Sequence, residues 1–207
     1  MESLWEAAGS DDTDWNARYC AGDTPWDYGE AHPELVHWLS QHHFPGEIVV
    51  PGCGRGHDVQ AIAKTGTSVL GVDISNEAVH AAQHRKASRN AHFQAGDILK
   101  PPQAWTARFL GAFEHTCYCA IPPSNRPHYA RSLATVIRPE GIFLACFYMN
   151  PDVVKGPPFP THQEELDLLF DPYFRLHREW VPSHTYSGRE GRELFREYVR
   201  LGIFPAI

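Results

Sequence analysis

Three glycines, Gly52, Gly54 and Gly56, alternate with other residues directly behind the β-branched pair Val49-Val50. A helix-like interval follows, and a second apolar run then closes on an acid, Asp73. Glycines at such a turn let the backbone approach a ligand closely, and an acid at the next strand end grips ribose hydroxyls. The glycines read G-x-G-x-G, so the third falls one position short of the dinucleotide pattern G-x-G-x-x-G. That leaves no room for a pyrophosphate turn and favours S-adenosylmethionine over NAD. A tight turn alone would account for any one glycine, but not for three that alternate ahead of an acid. Ser75 already stands where a helix cap is needed, which leaves Asp73 for a ligand. Asp97, just after Gly96 at the end of a third run, is placed to hold an adenine amino group, with Ile98 as an apolar contact for the base. Ile74, beside the ribose acid, belongs to the same set. Taken alone, Asp97 could equally be a turn residue.

These residues need a scaffold, and the chain alternates strand-like and helix-like segments as an open parallel sheet with helices on both faces does. An N-terminal arm carries Trp15, Tyr19 and Trp26 around the turn Gly22-Asp23-Thr24-Pro25. Residues 32–43 predict an amphipathic helix with Leu35, Val36, Trp38 and Leu39 on its apolar face. Strands are expected at 47–51, 68–73, 91–95, 108–113 and 142–149, with helices at 57–65, after Ser75, and at 125–137. Pro139-Glu140-Gly141 is read as the break after the last of these helices. A proline-rich loop at 151–160, a helix at 161–170 and strands at 173–181 and 193–201 complete a seven-stranded sheet. No linker divides it, so residues 1–207 are expected to form one domain, with 1–30 covering the ligand site.

Of 207 residues, 43% are hydrophobic and 21% charged, an ordinary globular balance. The formal charge of −7 argues against a nucleic-acid partner. No apolar run approaches the roughly 20 residues of a membrane span, and the acidic N-terminus has no signal-like core. Five scattered cysteines fit a reducing cytoplasm better than a disulfide framework. Cys117-x-Cys119 has the wrong spacing for a zinc knuckle, and His80 with His84 lacks the glutamate of H-E-x-x-H, so no metal is expected. His42-His43 at a helix end suits the helix dipole.

Longer strings carry a resemblance. Trp15 with Tyr19, Asp23-Thr24-Pro25-Trp26-Asp27-x-Gly29, Val50-Pro51-Gly52-Cys53-Gly54-Arg55-Gly56-His57-Asp58, Gly71-Val72-Asp73-Ile74-Ser75, Cys119-Ala120-Ile121, Arg126-Pro127 and Gly156-Pro157-Pro158-Phe159 span most of the chain. It resembles the thiopurine S-methyltransferase family, especially the halide/thiol methyltransferases of plant type. The resemblance implies a Rossmann-like class I methyltransferase fold (α/β, mostly parallel) with S-adenosylmethionine between the strand tips and an N-terminal helical cover. Trp15, Tyr19 and Trp26 stand as the aromatics of that cover. Gly52, Asp73, Asp97, Ile98 and His115 fall where the family contacts the cofactor. Two departures concern the acceptor: Tyr19 stands for a second tryptophan, and Glu114-His115 for an aspartate–tyrosine pair.

A sulfonium activates its own methyl group, so the protein need only align the partners and strip water from the nucleophile. A thiol suits this because it ionises near neutral pH, and His115 is the candidate for taking its proton or orienting it. A structural or cofactor-contacting role for His115 stays open. Arg126 and Arg192 are candidates to attract an anionic acceptor, and Gly156-Pro157-Pro158-Phe159 to shape the pocket mouth. The expected protein is a monomeric cytoplasmic methyltransferase acting on a small molecule, a thiol before a halide. Transfer to oxygen or nitrogen, a non-catalytic S-adenosylmethionine sensor, and an NAD-dependent oxidoreductase are the alternatives.

Overall fold

The computed structural model describes residues 13–149 and 156–202. Seven strands form one sheet in the order β3-β2-β1-β4-β5-β7-β6. They are β1 (Ile48–Pro51), β2 (Val69–Asp73), β3 (Ala91–Ala95), β4 (Phe109–His115), β5 (Ile137–Tyr148), β6 (Phe174–Trp180) and β7 (Glu193–Arg200). β3 through β5 pair in parallel, whereas β7 runs antiparallel between β5 and β6. Among the described residues six α-helices accompany them: α1 (Trp15–Ala21), α2 (Pro33–Leu39), α3 (His57–Lys64), α4 (Asn76–His84), α5 (Arg126–Val136) and α6 (Gln163–Phe170). None is long and apolar enough to cross a membrane.

Strands covered on both faces must be apolar at every position, and β1 and β2 are buried throughout. Alternate residues then serve different cores, as a period of two requires. Val49 and Ala145 join Tyr129, Leu133, Phe143 and Phe170 on the α5–α6 face. Ile48, Val50, Leu144 and Cys146 join Leu35, Trp38, Val59 and Phe195 on the α2–α3 face. Truncating a fully buried ring such as Phe143 would cost about 3–5 kcal/mol. The strand order reverses between β1 and β4, opening a crevice past their C-terminal tips. Because β7 is antiparallel, the loop leading into it returns to that same rim.

Three expectations change. Residues 40–43 lie outside α2 because their side chains compete for its last carbonyls. Ser40 Oγ donates to the His37 carbonyl at 2.6 Å, and the His42 ring meets the Trp38 carbonyl at 3.1 Å. β4 continues through Glu114 and His115, which pair with Ala145 and Cys146 of the longer β5. Pro139-Glu140-Gly141 does not end a helix: α5 has already stopped at Val136, and these residues form an irregularity within β5. There the register with β4 shifts and Glu140 adopts φ 63°. The other boundaries move by a residue or two at most. Residues 150–155, which include the first half of the proline-rich loop, and 1–12 of the expected cover lie outside the described residues.

Candidate active site

The glycine turn leaves β1 with Gly52, Gly54 and Gly56 at φ 57°, 51° and 79°, values that L side chains rarely adopt. Space forbids them as well. A methyl on Gly54 would lie 2.7 Å from Tyr19 Oη, and one on Gly56 2.5 Å from the Phe93 ring. One on Gly52 would lie 2.8 Å from Cys117 Cβ, so this turn is walled by the segment that follows β4. Asp73 closes β2 beside it. Its Oδ2 accepts from Gly54 N at 2.8 Å and its Oδ1 from Ser75 N at 2.9 Å. Each oxygen keeps a lone pair for a ribose hydroxyl. Burial raises the Asp73 pKa and outweighs the two amide bonds that lower it. Ser75 caps α4 through Ala78 N, as its position predicts.

The residues expected on the adenine side divide. Asp97 Oδ1 is held by Leu99 N at 2.9 Å, while Oδ2 lies 3.9 Å from Lys100 Nζ. Ile98 is turned into the core beside Leu70 and Val72 with 7% of its surface free. Ile74 is 58% exposed and offers the larger apolar surface for a base.

The three cover aromatics come together. Trp26 meets Trp15 edge-on with ring centroids 5.4 Å apart, and its Nε1 donates to Tyr19 Oη at 3.2 Å. Arg18 lies over Trp26 at 4.5 Å. Two fastenings hold this arm on the turn. Asp27 receives Arg55 Nη1 at 2.7 Å and lies 3.1 Å from His57 Nε2; the His57 contact and the Gly29 and Arg55 bonds keep its carboxyl well below the usual range. Asn16 Oδ1 accepts from Ser75 Oγ and Glu77 N at the start of α4.

On the other side of the crevice His115 ends β4, 9% exposed, and its Nδ1 meets Asp58 Oδ2 at 2.8 Å. Asp58, in the first turn of α3, also accepts the backbone N–H of His32 at 2.8 Å. Burial would lower the His115 pKa, but the Asp58 charge and hydrogen bond, with Glu193, outweigh it and raise it. Beneath it, His32 Nε2 lies 3.0 Å from Glu193 Oε2. Above it, Tyr186 lies near-parallel with its centroid 6.0 Å away and stacks on Tyr28 at 4.0 Å. The Arg189 guanidinium lies over the Tyr148 ring at 3.9 Å.

His32, His115, Cys146 and Glu193 bring one donor atom each within 4.8 Å of one another. Hydrogen bonding accounts for this grouping. His32 Nδ1 accepts from Glu34 N at 3.1 Å, so its proton sits on Nε2 and points at Glu193. A metal at Nε2 would need an imidazole stripped of both protons.

Arg126 does not face an acceptor. It is buried, pairs with Glu165 at 2.8 Å, and donates to the carbonyls of Ile121, Phe159 and Pro160. Arg192 is partly buried at the last turn before β7, where its carbonyl accepts from Met149 N. Phe159 is buried, and its N–H donates to Cys119 O at 2.6 Å, which ties this segment to the stretch after β4. Asp58, His32, Glu193, Arg189 and Asn16 were not anticipated as site residues. Asp58 alone carried a signal, as the last residue of the string that begins Val50-Pro51-Gly52.

The sequence model of one family, described as Thiopurine S-methyltransferase (TPMT), matches residues 10–190. The chain belongs to the thiopurine S-methyltransferase family. Thiocyanate methyltransferase 1 of Arabidopsis thaliana is 32% identical over 174 residues, 82% of this chain and 77% of that protein. Probable thiol methyltransferase 2 of the same plant is 29% identical over 163 residues, 76% of this chain and 71% of that one. A solved structure of 1,6-didemethyltoxoflavin-N1-methyltransferase from Burkholderia thailandensis, with S-adenosylhomocysteine bound, aligns at TM-score 0.66 and 21% identity over 89% of this chain and 84% of that one. This member of the thiopurine S-methyltransferase family is an S-adenosylmethionine-dependent methyltransferase. Its residues fit that cofactor: the glycine turn keeps a cradle that any Cβ would fill, and Asp73 retains acceptor capacity beside it.

Proposed function

We propose that the enzyme methylates a small soft sulfur nucleophile, a thiol before an inorganic anion. Gly52, Gly54, Gly56 and Asp73 hold the donor, with Ile74 and Asp97 toward the base, Ile98 behind it, and Trp15, Tyr19 and Trp26 as its cover. The bound donor supplies an electrophilic methyl group. The protein's share is to hold the sulfur in line and keep water away. The observation that carries the acceptor class is the wall around His115: the Tyr28–Tyr186 stack and the Arg189 guanidinium on Tyr148. Aromatic faces beside one cation suit a polarisable sulfur that reacts as an anion. The names of the two plant relatives, one thiocyanate and one thiol methyltransferase, support the same chemistry. We assign the enzyme to the cytoplasm as a single copy, in keeping with five free cysteines.

The test is an acceptor panel with labelled donor: hydrogen sulfide, small thiols, a thiopurine, thiocyanate, iodide, and an oxygen and a nitrogen nucleophile. Sulfur acceptors should dominate. Transfer confined to oxygen or nitrogen would refute the acceptor class, and donor binding without any transfer would favour a sensor.

A further inference from the structure

Resting on that reading, we propose that Asp58 is a positioning residue that fixes a proton on His115 Nδ1, so that Nε2 accepts the proton of a neutral thiol. The enzyme then acts on proton-bearing thiols and on preformed anions with opposite dependence on pH.

The geometry assigns each atom. Asp58 holds the His115 Nδ1 proton at 2.8 Å, and the His32 N–H on its other oxygen, also at 2.8 Å, prevents the carboxylate from turning away. Nε2 has no hydrogen-bond partner among the described residues and is the ring nitrogen left for a ligand. A carboxylate that orients an imidazole in this way sets its tautomer and stabilises the imidazolium. His115 ends β4, across the strand-order reversal from the glycine turn that leaves β1.

The charges around His115 come from several elements. Asp58 faces it from α3, His32 from the start of α2, Glu193 from β7 and Arg189 from the loop before β7. Glu114, its neighbour in β4, has its pKa raised by burial to about 7 and is partly charged there, whereas Cys146 of β5 and Tyr186 have pKa values raised by burial and are neutral near pH 7. His32 is held below the ordinary imidazole value, burial outweighing Glu193, and is neutral as well. Two carboxylates, with Glu114 partly ionised behind them, therefore face one guanidinium around a neutral His115. That arrangement repels an incoming anion until the ring is protonated, but admits an uncharged thiol.

In the thiol reaction the S–H proton passes to Nε2. The lone pair left on sulfur forms the new S–C bond as the sulfonium S–C bond breaks, and the proton leaves His115 for solvent. With thiocyanate or iodide there is no proton to remove, and the imidazolium serves only to attract the anion.

Three measurements test this. With 2-mercaptoethanol, kcat/KM should rise with pH through the His115 pKa; with thiocyanate it should fall over the same range. In the complex with S-adenosylhomocysteine, NMR titration of His115 should show that pKa, and Asp58→Asn should lower it by about 1–3 units while donor affinity is kept. His115→Gln should slow thiol methylation by about 100-fold or more and slow thiocyanate less. The two limbs coinciding, an unmoved pKa in Asp58→Asn, or equal loss on both acceptors in His115→Gln would overturn the proposal. If Asp58→Asn does not fold, the wild-type limbs and His115→Gln decide alone. Failure of the broader reading looks different: no sulfur acceptor would react at any pH.

Discussion

Glu114→Gln offers a measurement of how the crevice wall is held. Glu114 is fully buried in β4; Oε1 accepts from Cys117 N at 3.0 Å and Tyr118 N at 2.8 Å, and Oε2 from the Tyr129 hydroxyl. Through these bonds it anchors Cys117, which packs on Gly52. Burial, only partly opposed by those bonds, raises its pKa from 4.5 to about 7. The folded chain therefore binds this proton more tightly than the unfolded chain does. The linked stability is complete below pH 4.5 and is lost as pH rises through about 7. At 1.36 kcal/mol per pKa unit the full swing is about 3 kcal/mol. Glutamine mimics the neutral carboxyl: its oxygen keeps both amide bonds and its amide faces Tyr129. Denaturant unfolding of both proteins from pH 5 to 8 should show the variant gaining on the wild type by roughly that amount. Parallel curves would refute the argument that Glu114 titrates inside the fold.

Further perturbations address the donor site and its frame. Asp73→Ala should weaken S-adenosylhomocysteine binding by ~1.5–3 kcal/mol, about 10- to 150-fold by calorimetry, and an unchanged affinity would show that the ribose lies elsewhere. Gly54→Ala sets a methyl against Tyr19 at a left-handed φ, so it should cost ~1–2 kcal/mol and expose the 13–30 arm to protease; protection equal to wild type would remove that contact from the account. Arg126→Ala strands Glu165 and three carbonyls and should destabilise by ~3–5 kcal/mol in thermal unfolding, with Lys a poor substitute. A normal melt with a changed acceptor KM would return Arg126 to the acceptor pocket.

The glycine turn and its neighbours could be read from sequence because their signals are local. The alternating glycines, Asp73 at a strand end and Ser75 one turn on are set by backbone geometry within one βαβ unit. The surroundings of His115 could not. His115 draws its partners from α3, the start of α2 and β7, elements far apart in the chain, and only the folded sheet brings Asp58, His32 and Glu193 together. Arg126 shows the opposite error. The sequence offers it as a charge to attract an anionic acceptor, yet carbonyls after β4 and before α6 close around it. The irregular start of β5 was missed because Pro139-Glu140-Gly141 has the composition of a turn, while pairing with β4 carries the chain through it as strand.

The last strand of the sheet, β6, is exposed along most of its length, with Arg175, His177, Arg178 and Glu179 in succession on its two faces, and its ladder slips between Leu176 and Arg178. A neighbouring molecule seeking to extend the sheet there would have to strip hydration from that row and match a broken hydrogen-bond rhythm. Crowded copies of this enzyme thus meet water and like charge at their rim before they meet free backbone.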